Sequence, residues 1–77
     1  MAIVRHLERR ELNEGAVHTE TECSYSVVLD DLGGRYLQID TYGSAERKMT
    51  GKKSQSIRFS MEAIRELRKV ISQDFPT

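Results

Sequence analysis

The spacing of apolar and polar residues changes character along this chain. From Ser54 to Phe59 they alternate, with Gln55, Ile57 and Phe59 on one side and Ser54, Ser56 and Arg58 on the other. Tyr36 to Tyr42 alternates in the same way, Leu37, Ile39 and Thr41 against Tyr36, Gln38, Asp40 and Tyr42. Upstream, Val17, Thr19, Thr21, Cys23, Tyr25, Val27 and Leu29 share one parity. Asp30-Asp31-Leu32-Gly33-Gly34 is a turn signal that joins this strand to the next as a hairpin. Asn13-Glu14-Gly15 marks a second turn, which makes Ala2 to Leu7 a short first strand. Ile3, Leu7 and Glu11 also fit a helix, so that first segment stays open between the two.

After Phe59 the period becomes helical. Ser60 is an N-cap, Glu62 places negative charge in the first turn, and Phe59 and Ile64 stand where a hydrophobic staple would close. Ala63, Ile64, Leu67, Val70 and Ile71 form one apolar stripe, with Glu62, Arg65, Glu66, Arg68 and Lys69 facing water, and Pro76 limits any extension. The spacing predicts a single α+β domain, β-β-β-β-α: a strand and turn over 1–15, a sheet over 16–59 and a helix over 60–73. The expected sheet is four-stranded and antiparallel, with the helix over one face.

If the helix covers the face carrying Leu37, Ile39, Ile57 and Phe59, the other face offers Tyr36, Gln38, Tyr42, Ser54, Ser56 and Arg58 to solvent. Tyrosines can stack on bases, and hydroxyls and arginine can reach phosphates. The segment from Gly43 to Lys53 adds Arg47, Lys48, Lys52 and Lys53 against one Glu46, a cationic flap able to neutralise a phosphate backbone. An ordinary polar face of an antiparallel sheet would show the same alternation.

The overall charge hides this segregation. The chain has 77 residues, 12 basic and 12 acidic, for a net charge of zero. Residues 1 to 34 carry three basic and seven acidic side chains, residues 35 to 60 six basic and two acidic, and the remainder three of each. The middle third is therefore a basic segment, a pointer to an anionic partner. With 38% hydrophobic and 31% charged residues the chain is neither collagen-like nor plainly disordered. No apolar run approaches the roughly 20 residues of a membrane span, and the charged N-terminus lacks a signal peptide's apolar stretch. One cysteine, Cys23, cannot form an internal disulfide, which suits a reducing, cytoplasmic setting.

A chain this short buries only about 60% of its unfolded surface. Ordering it costs on the order of 1.5 kcal/mol per residue, so core and entropy nearly cancel. With no disulfide and no evident metal, a homodimer is expected.

Candidate chemistry is sparse. Asp40 followed by Glu46-x-Lys48 echoes an acid, acid-x-lysine set that holds Mg²⁺ in some nucleases, but the six-residue spacing and the loop position of its second half argue against it. On a strand, His18, Glu20 and Glu22 share one face while Cys23 points to the other, so they do not converge on one metal. Cys23 reads as a small buried hydrophobe, since no histidine is placed to activate it. The glycines mark turns, and none opens a phosphate loop. No enzyme, metal or cofactor is implied.

Tyr36-Leu37-Gln38-Ile39-Asp40-Thr41-Tyr42, a loop with Arg47-Lys48-Met49, and Gly51-Lys52-Lys53-Ser54-Gln55-Ser56-Ile57-Arg58-Phe59-Ser60 running into a helix resemble the positive cofactor four family. These are small transcriptional coactivator and single-stranded-DNA-binding domains. The match spans roughly residues 25 to 75. Lys52 and Lys53 fall on the family's paired basic positions after the loop glycine, Lys48 on the basic position beside the loop methionine, and Tyr42 on the aromatic strand end. The resemblance implies a β-β-β-β-α protomer, a homodimer and single-stranded DNA held in basic grooves. The expected site is Tyr36, Gln38, Tyr42, Arg47, Lys48, Lys52, Lys53 and Arg58. Its ligand would be single-stranded DNA, with RNA as the alternative. A protein-interaction or accessory subunit that binds no nucleic acid is the competing reading.

Overall fold

The computed structural model describes residues 1–13, 15, 20–42 and 53–77. They form β1 (Ala2–Val4), β2 (Cys23–Leu29), β3 (Arg35–Tyr42), β4 (Lys53–Phe59) and α1 (Met61–Asp74). The strands make one sheet in the order β1-β4-β3-β2. The α+β architecture and the β-β-β-β-α element order match expectation; the direction of the first strand does not.

The sheet is mixed. β2 and β3 are antiparallel, as are β3 and β4, but β1 pairs parallel to β4 with Ala2 opposite Ile57 and Val4 opposite Phe59. A tight turn at Asn13–Gly15 would have folded the first strand back as a neighbour of the second. Instead the chain beyond Val4 runs toward the helix. The Ser60 N–H donates to the Val4 carbonyl (2.9 Å), and Glu66 Oε1 accepts from the Leu7 N–H (2.7 Å). Arg9 Nη1 donates to Asp74 Oδ2 at 3.0 Å. A strand bound for the helix end of β4 must run in β4's own direction, which makes the pair parallel. The first strand accordingly stops at Val4 rather than Leu7.

The β2–β3 hairpin closes where the turn residues placed it. Asp30 Oδ1 accepts from the N–H groups of Leu32 (2.9 Å) and Gly34 (2.6 Å), while the Asp30 N–H donates to the Gly34 carbonyl at 3.0 Å. Gly33 has φ of +84°, a conformation that favours glycine, and a Cβ on Gly34 would lie 2.6 Å from Asp30 Oδ2. The hydrogen bonds from Gly34, Leu32 and Tyr36 hold the Asp30 carboxyl below its ordinary range, the Gly34 bond most strongly.

Helix α1 starts as its sequence dictates, with Ser60 Oγ accepting from the Ala63 N–H at 3.2 Å. It reaches β3 and β4. Among the described residues, Ala63 is the one apolar side chain that is buried; Ile64, Leu67 and Val70 are half-buried and Ile71 is exposed. The sheet's apolar face is only partly covered. Leu37, Ile39, Ile57 and Phe59 are half-buried, whereas Tyr25, Val27 and Leu29, on the same face by register, are 77%, 63% and 65% exposed. Cys23 is exposed too, rather than buried, because it lies on this uncovered part of the outermost strand.

Candidate functional site

The opposite face of the sheet is organised around a buried carboxylate. Register sets Gln38 opposite Arg58 and Asp40 opposite Ser56, so strict alternation puts all four side chains on one side of β3 and β4. Asp40 Oδ1 accepts from Ser56 Oγ (2.6 Å) and from Gln38 Nε2 (2.9 Å). Gln38 Oε1 in turn accepts from Arg58 Nε at 2.7 Å. Asp40 is 3% exposed and Gln38 7%. The Ser56 and Gln38 hydrogen bonds, with Lys53 beside them, hold the Asp40 carboxyl below its ordinary value, so it is ionised at neutral pH.

A bulge brings in the fifth member. Thr41 pairs with Gln55, but Tyr42 pairs with Lys53, so Ser54 drops out of the count. Simple alternation sends Lys53 to the apolar side. The bulge returns it to the polar side, where its Nζ lies 3.4 Å from Asp40 Oδ2 while half its side chain stays in water.

Tyr36 and Tyr42 flank this network on the same strand face, both half-buried. The Tyr42 hydroxyl and Ser24 Oγ share a 2.8 Å hydrogen bond, and the Tyr36 hydroxyl donates to Asp30 Oδ2 at 3.2 Å. Thr21 Oγ1 donates to the Tyr42 carbonyl, and the Tyr42 N–H to the Glu22 carbonyl at 3.1 Å. Each aromatic side chain is thus tied to β2 or its turn.

Five of the eight expected site residues, Tyr36, Gln38, Tyr42, Lys53 and Arg58, share this face. Arg47, Lys48 and Lys52 lie outside the described residues. Gln38 does not stand open to solvent as expected; it is buried, and it links Arg58 to Asp40. Sequence reasoning weighed Asp40 as a metal ligand and missed it as the hub. The signal was available: Gln-x-Asp on one strand faces Ser-x-Arg on its antiparallel neighbour.

The arrangement suits anion recognition. Lys53 lies against the Asp40 carboxylate and Arg58 is linked to it through Gln38; among the described residues Arg58 spends only Nε on Gln38, leaving further guanidinium donors. Among the described residues, no three His, Cys, Asp or Glu side chains are placed to share a metal ion. His18 lies outside the described residues, and Glu20 and Glu22 are exposed. No described helix is long and apolar enough to cross a membrane. These features define a small α+β domain with a polar, cation-bearing sheet face. No protein-family model, curated protein or solved structure matches the chain.

Proposed function

We propose that this protein is a non-catalytic, homodimeric module that binds single-stranded nucleic acid, DNA in the first place, as an accessory to transcription or DNA maintenance. The observation that carries the reading is the shared face on which Tyr36 and Tyr42 flank Lys53 and Arg58. Half-buried rings held by their hydroxyls are suited to stacking on bases without sequence preference, and the two cations are suited to phosphates. Asp40, Gln38 and Ser56 act beneath them, fixing where the cations stand. The basic residues Arg47, Lys48 and Lys52 and the resemblance to the positive cofactor four family support the same reading. The homodimer is supported by how little of the apolar surface one protomer buries.

Fluorescence anisotropy with single-stranded and duplex oligonucleotides across a salt series tests it. Single strands should bind more tightly than duplex, and affinity should fall steeply between about 50 and 200 mM salt. The double substitution Lys52→Ala, Lys53→Ala should weaken binding to all sequences about equally and flatten the salt slope. A wild-type protein that ignores every oligonucleotide at low salt sinks the reading. The exposed Tyr25, Val27 and Leu29 would then favour a protein-interaction subunit.

A further inference from the structure

Among the described residues β2 is an outermost strand of the sheet, and its own sequence lacks the charges, prolines and bulges that normally blunt an edge. Cys-Ser-Tyr-Ser-Val-Val-Leu holds no charge and no proline, and it pairs with β3 residue for residue without a bulge. At seven residues it matches β3 almost along its length, whereas the opposite edge, β1, has three.

Its unpaired backbone groups can be assigned. The Tyr42 N–H donates to the Glu22 carbonyl and the Asp30 N–H to the Gly34 carbonyl, both pairs of the same ladder. In an antiparallel ladder such pairs alternate, so Glu22, Ser24, Ser26, Val28 and Asp30 turn their N–H and C=O groups toward β3. Cys23, Tyr25, Val27 and Leu29 therefore turn theirs outward. The same four residues project their side chains on the poorly covered apolar face, and all four are exposed. Among the described residues, one strip thus presents unpaired hydrogen-bonding groups along its edge and bare apolar side chains on its flank.

The geometry points to a second copy of this chain as the occupant: β2 pairs antiparallel with β2 of its partner about a two-fold axis at Ser26, joining two four-stranded sheets into one of eight. This rests on the proposed homodimer and adds its surface. Centring on Ser26 is the register that uses all seven residues. It sets Tyr25 opposite Val27, and Cys23 opposite Leu29, each twice, with their outward N–H and C=O groups facing one another. Aromatic against β-branched is a favourable cross-strand pair, and a strand without charge meets its own copy without like-charge repulsion. Exposure agrees with a second copy: Tyr25, Val27 and Leu29 stand mostly in water in one protomer.

The axis makes the register testable. Ser26 would face Ser26 in a non-hydrogen-bonded pair, with Cα atoms about 4.5 Å apart, within disulfide range. Ser24 would lie four residues from its own copy, about 13 Å away. In a Cys23→Ser background, Ser26→Cys should give a covalent dimer under mild oxidation, and Ser24→Cys should not. Val27→Lys, at an exposed position, should shift the sedimentation mass from dimer to monomer, with circular dichroism reporting that the sheet persists. A dimer that neither crosslinks through Ser26→Cys nor responds to Val27→Lys overturns this surface but leaves the homodimer reading intact. A wild-type monomer at tens of micromolar overturns both, and neither outcome depends on nucleic-acid binding.

Discussion

Asp40 brings a negative charge to a position with almost no access to water, and three neighbours make that tolerable: Ser56 and Gln38 by hydrogen bonds, Lys53 by charge. Because its carboxyl sits below the unfolded value of 3.8, the folded state gains stability from it above that pH and loses it as pH falls through the native value. Asp30, Glu62 and Glu66 are shifted in the same direction, chiefly by hydrogen bonds from Gly34, Ser60 and Leu7 respectively. Thermal melts followed from pH 7 to pH 2.5 should hold a plateau down to about pH 5 and then fall. Asp40→Asn should lower Tm at pH 7 by several degrees and make the acid limb shallower. A variant that melts like wild type would remove Asp40 from the centre of the network. At this scale the sequence was partly legible. Alternation put Gln38 and Arg58 on one face, but residue type alone could not say that Gln38 is enclosed, since its burial depends on the partners it finds across the ladder.

Among elements, the hairpin and the helix are specified by local chemistry. Ser60 caps the helix one residue after the strand ends, so a single position sets both the stop of β4 and the start of α1. Ser60→Ala should cost about 1 kcal/mol in urea unfolding, with the slope unchanged. An unchanged midpoint would mean that the cap is not stabilising the helix. In the turn, Gly33→Ala should cost about 1 kcal/mol because alanine resists positive φ. The helix and the β2–β3 hairpin were readable because cap, turn and period lie within a few neighbouring residues. The bulge between Thr41 and Tyr42 was not, because strict alternation cannot show where a residue leaves the count. Nor was the direction of β1, because its partner Ile57 lies 55 positions away from Ala2 and no local period encodes that choice.

At the scale of the whole molecule, the balance between covered and bare apolar surface dominates. A protomer with Ala63 as its one buried apolar side chain among the described residues, and Tyr25, Val27 and Leu29 in water, has little core of its own. If association completes the core, stability becomes inseparable from concentration, and Tm should rise as the protein is concentrated from 1 to 100 µM. A Tm independent of concentration would argue for a self-sufficient monomer. The expectation of a dimer arose from the short chain without a disulfide or evident metal, and from the family resemblance; the location of the bare surface needed the register, because the face of β2 becomes apolar or polar only relative to β3.

The parallel seam between β1 and β4 bears on the order in which the chain folds. β2, β3 and β4 follow one another between Cys23 and Phe59, so each pairs with its sequence neighbour, whereas β1 must wait until β4 and the start of α1 exist to receive it. It should dock last and fray first. Its amide protons should exchange with deuterium well before those of β3, and a chain emerging from the ribosome would carry β1 unpaired until β4 and the start of α1 have been made.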